Sequence, residues 1–489
     1  MDTICAISTP SGIGGIAVIR ISGPDAIAAC SSIFRPFKES HKLEDRKTHT
    51  LTFGQIVLPK ENPETPDVKE QILDEVVVSL YRAPHSFTGE DVVEISCHGS
   101  LYIQQQILDL LCNSTSNHSL SLTKWTGEGK GSGSLVRLAS PGEFTRRAFS
   151  NGRFDLSQAE AVADLISAQS AASHRLAMQQ MKGNISQKLS SLHDQLLQLT
   201  ALLELELDFS EEDVEFADRT RLINLANEID AEVMRLANSF KTGQAIKNGI
   251  PVAIIGAPNV GKSTLLNALL KEDRAIVSDI QGTTRDLIED TFTLGGYLFR
   301  FIDTAGIRHT QDEIEQLGIE RSHQAAQRAQ IILLMTEPGI DYPEISARED
   351  QHIIYILNKV DTTPNSSLLT PNSTLHTPHS TLLTPHSSLN LSAKNNLGID
   401  ALEQALIDCV KTNDTQSDVI LTNARHHQAL LSAHEALQRV LSGLSSGLSN
   451  EFVDMDLKDV ISSLNQILGK EITSQSTLNA IFSQFCVGK

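Results

Sequence analysis

The sequence predicts three folded parts in one chain of 489 residues: an α+β N-terminal domain, an α-helical bundle domain, and an α/β domain inserted into the bundle. Three observations predict this. Short β-rich runs bounded by Gly and Pro fill residues 1–153, apolar residues take up helical spacing from 154 onward, and strand–loop–helix units interrupt that spacing between 249 and 410. The length suits several domains of about 150 residues each.

In the first part, residues 16–23 (IAVIRISG) and 74–80 (DEVVVSL) read as strands. Residues 113–133, rich in Ser, Thr, Asn and Gly, read as an extended surface loop. The first helical segment spans 154–248, where Leu192, Leu196, Leu199, Leu203 and Leu207 share one helix face. The acidic run 211–215 is a solvated loop or helix start. Helical character returns over 411–489, with one stripe from Leu457 to Leu468 and another of Leu478, Ile481, Phe482 and Phe485, both read as bundle packing. Inside the insert, the apolar runs 252–255, 331–334 and 353–357 suit a parallel sheet covered on both faces.

Within the insert, Pro364, Pro371, Pro378 and Pro385 recur every seven residues. A proline in each repeat removes backbone donors and forbids a helical coiled coil. Residues 362–390 therefore read as a flexible surface loop without catalytic role, with a docking peptide as the second reading.

Apolar residues are 40% of the chain and charged ones 20%, enough to bury a core in each part. The six cysteines form no CxxC pair, which argues against a disulfide framework or a thiolate zinc site. Neither a membrane-spanning apolar run nor a targeting segment is visible, which leads to the expectation of a cytoplasmic protein without membrane contact. A net charge of −20 disfavours autonomous, tight binding of nucleic acid.

The densest chemistry lies in the insert. The segment from Gly256 to Ser263 (GAPNVGKS) follows a predicted strand and opens a helix beginning with Thr264. Glycines let backbone N–H groups wrap phosphates at a helix N-terminus, so Asn259, Val260 and Gly261 line the phosphates, Lys262 reaches the β- and γ-phosphates, and Ser263 ligates Mg²⁺. Asp303, Thr304, Ala305 and Gly306 end the next strand, with a carboxylate behind the Mg²⁺ and a glycine N–H near the γ-phosphate. Asn358, Lys359, Val360 and Asp361 end another. Asp361 can accept from N1 and N2 of guanine, a pair adenine does not offer, so the site selects GTP over ATP. Ser392, Ala393 and Lys394 bring a backbone N–H to the guanine O6. The order and spacing of these segments define a Ras-like P-loop G domain.

Two details bear on hydrolysis. Ile307 stands where Ras-like enzymes place a water-orienting Gln, so the water must be held from elsewhere. The first switch loop falls on Gly282, Thr283, Thr284, Arg285 and Asp286, with Thr284 as second Mg²⁺ ligand. Arg285 is either an arginine finger or half of a salt bridge within the loop.

With these residues assembled, the chain resembles the MnmE (TrmE) family of tRNA-modification GTPases over nearly its whole length. Further matching segments are 9–15 (TPSGIGG), 20–23 (RISG), 86–91 (SFTGED), 141–149 (PGEFTRRAF), 155–161 (DLSQAEA) and the tail 485–489 (FCVGK). The resemblance implies homodimerisation through a folate-binding-like N-terminal domain, and G domains that meet across GTP around a potassium ion held by Asn259, Ser278, Ile280 and Thr283, the last three through the nucleotide-binding loop Ser278, Asp279, Ile280, Gln281, Gly282 and Thr283. It also implies that Glu315 orients the water; without it Glu313 would serve equally. A tetrahydrofolate one-carbon donor (5-formyl or 5,10-methylene) is implied at Arg20, Glu94, Arg153 and Lys489, each of which reads from the sequence alone as a surface or salt-bridge residue. Position 153 is commonly Lys in the family, and Arg keeps the charge while changing the geometry. Cys486 would lie near the folate, as a catalytic thiol or a packing residue.

The implied reaction, run with an FAD-dependent partner of the MnmG (GidA) type, installs an aminomethyl-type (carboxymethylaminomethyl) group on C5 of wobble uridine 34 of tRNA. The acidic charge suggests that the partner grips most of the tRNA. The alternative is a regulatory or ribosome-assembly GTPase scaffold, which shares the G motifs and lacks the folate-like domain and the tail.

Overall fold

The computed structural model describes residues 2–38, 42–58, 71–113, 136–208, 219–270, 290–302, 324–362, 388–414, 419–446, 448–470, 475–483, 485 and 488. The acidic run 211–215, the four repeat prolines and nearly all of the 113–133 loop lie outside them. The chain divides into two compact units, residues 1–163 with 465–489, and residues 164–464. Residues 154–163 and 465–489, which follow the bundle in sequence pattern, thus group with the N-terminal part.

The first unit is built on a seven-stranded sheet. Its strands are β1 (Thr3–Ile7), β2 (Gly14–Ser22), β3 (Phe34–Pro36), β4 (Thr50–Leu58), β5 (Gln71–Tyr81), β6 (Val92–Gly99) and β7 (Val136–Leu138), in the order β3-β4-β5-β6-β2-β1-β7. Along β5, buried Val76, Val78 and Leu80 alternate with the less buried Val77 and Ser79, as a sheet with one covered face requires. Helices α1 (Ala26–Ile33) and α2 (Leu101–Asn113) cover that face through Ala26, Cys30, Ile33, Ile107 and Leu111. Burial, with the neighbouring Asp74 carboxylate, pushes the Cys97 thiol up to about 11, as expected of a packing residue.

On the other face of the sheet, Phe144 of α3 (Glu143–Ser150) packs with Ile4 and Ala6, and α4 (Leu156–Ser167) follows α3. The Phe482 and Phe485 stripe of the C-terminus packs on Leu156 and Ala159. Gly142, at φ 66°, starts α3, and a Cβ there would stand 2.5 Å from Phe482 O, so only glycine lets the tail approach. Ser8 Oγ donates to Gly488 O at 3.1 Å, tying the tail to the end of β1.

Several of the segments singled out in the sequence converge on one ionic network. Arg137 binds the buried Glu143 with both terminal nitrogens, at 2.9 and 2.6 Å. Arg147 reaches Glu143 at 3.2 Å, Glu90 at 3.2 Å and Asp2 at 2.8 Å, while Ser22 Oγ donates to Glu90 at 2.7 Å.

The second unit combines helices and a second sheet. Helix α5 (Ala171–Met181) is followed by α6 (Asn184–Asp208), whose Leu192, Leu196, Leu199 and Leu203 are all buried, and by α7 (Arg219–Asn248). The inserted sheet contains β8 (Ile250–Gly256), β9 (Asp290–Leu294), β10 (Tyr297–Phe301), β11 (Ile331–Thr336), β12 (His352–Leu357) and β13 (Leu389–Asn390), with α8 (Lys262–Leu269) after β8 and α9 (Ile399–Asp414) after β13. The order is β13-β12-β11-β8-β10-β9, with β9 antiparallel to β10 and the other neighbours parallel. Apolar side chains cover both faces, as the uninterrupted apolar strands require.

The chain then continues in α10 (Ala424–Ser446) and α11 (Asn450–Leu468). Leaving the insert, it presses on α7. Gly243 faces Leu421 O so closely that any Cβ would collide with that carbonyl. Leu421 N donates to Ser239 Oγ at 3.1 Å, Gln244 Nε2 to Thr422 O at 2.7 Å, and Thr422 Oγ1 to Gln180 Oε1 at 3.2 Å. Among the described residues no helix is long and apolar enough to cross a membrane.

Burial opposes ionisation of Glu143, but the hydrogen bonds from Arg137, Ser140 N and Arg147 outweigh it and hold the carboxyl down to about 2. Its stabilisation is therefore complete above the ordinary value of 4.5 and disappears as pH falls toward 2. Glu143→Gln should lose about 2–3 kcal/mol at pH 7 in denaturant titrations. The gap from the parent should close on acidification through that window, and a pH-independent gap would contradict the assignment.

Candidate nucleotide site

At the C-terminal end of the second sheet, β8 runs into the phosphate loop and α8 begins at Lys262. Asn259 at φ 61° and Gly261 at φ 103° make the turn between them. A Cβ on Gly261 would collide with the Asn358 amide nitrogen, so the loop and the base-recognition strand can touch only because that position is glycine. Ser263 and Thr264 lie in the first turn of α8, where backbone N–H groups lack intrahelical partners and attract anions.

Lys262 turns back on its own loop. Its Nζ donates to Gly256 O at 2.8 Å and Ala257 O at 3.0 Å, and burial lowers its pKa below the ordinary lysine value. Arriving phosphates would replace these neutral acceptors with anionic ones and favour the charged ammonium.

Asn358 is 3% exposed and joins three segments. Its Nδ2 donates to Val260 O at 2.8 Å, its Oδ1 accepts from Ala393 N at 3.0 Å, and its own N–H donates to Thr336 O at 2.8 Å. The sequence assigned Asn358 to the guanine motif but gave no sign of this bridge. The next residue, Lys359, has φ 59° and forms an ion pair with Glu337, at the end of β11. Asp361 is exposed and its Oδ2 accepts from Asn395 Nδ2 at 3.0 Å. Ser392 is buried and accepts from Asn395 N, closing the loop that carries Ala393 and Lys394. Glu337 was not singled out from the sequence; the available signal was an acidic residue straight after a buried apolar strand and before Pro-Gly.

The structure thus brings Asn259, Val260, Gly261 and Lys262 together with Asn358, Lys359, Asp361, Ser392 and Ala393. Residues 278–286, 303–307, 313 and 315 lie outside the described residues, so the switch loop, Asp303 and Glu315 have no described geometry. The same holds for Cys486 and Lys489 in the first unit.

There, Arg20 and Glu94 stand opposite each other on β2 and β6. Arg20 Nε and Nη2 both engage Glu94 Oε1, at 2.9 and 2.8 Å. The guanidinium lies 5.2 Å from the ring centre of Phe87 and 5.7 Å from that of Phe144. Phe87 also lines a cavity of about 400 Å³ with Arg153, His49, Tyr81, His85 and Ser86. The salt-bridge reading of Arg20 and Glu94 from sequence is therefore correct as a contact, and Phe87 links that pair to the cavity holding Arg153.

A phosphate loop after β8, a base-recognition motif after β12, with β11 between the two strands, and the Asn358 bridge define a P-loop GTPase. Residues 3–153 match the family described as GTP-binding protein TrmE N-terminus, and residues 156–486 match the MnmE helical domain. The tRNA modification GTPase MnmE of Parabacteroides distasonis is 51% identical over 500 aligned residues that take in 100% of both chains. Its namesake in Bacteroides fragilis is 47% identical over 100% of this chain and 99% of its own. The chain belongs to the MnmE family of tRNA modification GTPases. Among solved structures, the FeoB G domain of Methanococcus jannaschii matches 33% of this chain and 98% of its own at 21% identity, with a TM-score of 0.21, too slight a likeness to add to this.

Replacing Asn358 with Ala would strand the buried Ala393 N–H and Val260 carbonyl, at about 1–3 kcal/mol each. Asn358→Ala should weaken GDP binding at least about tenfold in fluorescence titration and lower the melting temperature. Parent-like affinity would show that the bridge does not shape the site.

Proposed function

We propose that this chain couples GTP hydrolysis to tRNA modification in the cytoplasm. With an FAD-dependent partner of the MnmG (GidA) type, it installs an aminomethyl-type (carboxymethylaminomethyl) group on C5 of wobble uridine 34. The carbon comes from 5-formyl or 5,10-methylene tetrahydrofolate. The observation that carries this reading is the end-to-end match to a tRNA modification GTPase at 51% identity.

In this reading Lys262 leaves Gly256 O and Ala257 O for the β- and γ-phosphates, Ser263 and Thr284 hold Mg²⁺, and Asp361 selects guanine. Asn259, Ser278, Ile280 and Thr283 would hold potassium, which would supply positive charge to offset that developing on the phosphates when two G domains meet. Glu315 orders the attacking water, the task that Ile307 cannot perform. The chain dimerises through residues 1–153, and the folate binds at Arg20, Glu94, Arg153 and Lys489. Arg20 takes Glu94 Oε1, so Oε2 is the atom a pterin amino edge would use, while Arg153 offers a cation to the glutamate tail across the Phe87 cavity. The partner holds most of the tRNA, in keeping with the −20 charge of this chain.

GTP turnover by the full-length protein should be about 10- to 100-fold faster in potassium than in sodium. Glu315→Ala should reduce turnover while leaving GTP affinity intact; equal rates in the two salts would refute the potassium assignment. Calorimetry with 5-formyltetrahydrofolate should show binding that Arg153→Gln weakens, and an absence of heat for the parent would overturn the folate half of the reading while leaving the GTPase half standing.

A further inference from the structure

Strand β11 lies between the two strands that carry the nucleotide motifs. Met335 pairs with Gly256 at the root of the phosphate loop, and Thr336 pairs with Leu357 beside the guanine motif. Glu337 is the next residue, so the chain leaves the sheet there between the two loops, and its carboxylate pairs with Lys359. Its backbone is fixed there. Ile340 N donates to Glu337 O at 3.1 Å across a turn with Gly339 at φ 88°, and Thr336 Oγ1 donates to Ile340 O at 2.7 Å.

An unpaired carboxylate in a cleft that admits a triphosphate would repel it. Here the carboxylate is paired with Lys359. The two side chains are 38% and 30% exposed, a setting in which an ion pair adds at most about 1 kcal/mol to fold stability. Its consequence lies instead in where it holds the lysine. Lys359 enters with φ 59°, a left-handed conformation unfavourable for a residue with a long side chain, and the ion pair restricts the rotamers its stem can take.

We propose that Glu337 is a positioning residue for nucleotide binding: it fixes the Lys359 stem beside the base site defined by Asp361 and Ala393, so that the purine meets an ordered wall. Glu337 acts through Lys359 and does not touch the nucleotide. Guanine selectivity remains with Asp361.

The test is a mutant cycle on the full-length protein, read by mant-GDP affinity and by GTP turnover. Glu337→Gln is expected to weaken mant-GDP about fivefold and to raise KM for GTP by a similar factor, the loss falling on KM rather than kcat. Glu337→Asp should recover most of the affinity. In the Lys359→Ala background, Glu337→Gln should add less than about twofold, since its target is gone. The ratio of GDP to IDP affinity, which reports the 2-amino contact, should not change. Parent affinity in Glu337→Gln would overturn the proposal, as would a full additive loss in the double variant or a changed GDP to IDP ratio.

Discussion

The Asn358 amide donates to Val260 O while its carbonyl oxygen accepts from Ala393 N, so one planar group fixes the spacing between the phosphate loop and the loop that carries the base contact. Each bond alone contributes about 1 kcal/mol, but both are buried, and losing either leaves a polar group without water. Much of the cleft follows from this bridge. Gly261 must lack a Cβ to let the amide in, Lys359 must turn through a left-handed conformation after it, and Asp361 then faces outward beside Asn395.

The N-terminal unit rests on a constraint of the same kind. Glu143 is buried with its charge intact because Arg137, Arg147 and Ser140 N surround it. That cluster ties the start of α3 to Asp2, Glu90 and, through Ser22, to β2. The C-terminal phenylalanines then settle against α3 and α4, over the glycine that opens α3. Chain segments more than three hundred residues apart are thereby held in one unit, as the Arg146 to Asn479 hydrogen bond of 2.9 Å shows.

The motifs legible in the sequence were those whose chemistry is local. The phosphate loop, the buried strands 252–255 and 331–334, and the leucine face of α6 are defined by spacing within a few residues, and the fold has them in place. Contacts set by strand register were not legible as geometry. The pairing of Arg20 with Glu94 follows from the antiparallel alignment of β2 and β6, which alternation alone does not fix. The second task of Asn358 and the place of Glu337 depend on β11 lying between β8 and β12, a matter of strand order. The tail stripe 478–485 shows the helical period that was read, but period cannot say which partner a face will choose; the partner is α4, at the very start of the first helical segment.

The path of the chain into and out of the inserted sheet has a consequence for biosynthesis. Helix α7 buries Leu222, Ala226, Ile229, Val233 and Leu236, and α10, which packs along it, begins only at Ala424. A ribosome therefore completes the whole G domain while α7 still lacks its partner. The insert, whose own contacts are closer in sequence, can fold first; the bundle must wait for a closure spanning nearly two hundred residues. During that interval the part of α7 that α10 will cover is bare, with only α5 and α6 already available to pack on the helix, and its protection falls to chaperones or to speed. The junction of Gly243 with Leu421 marks where waiting ends: once that carbonyl seats on the glycine, α10 is aligned to close over the exposed face.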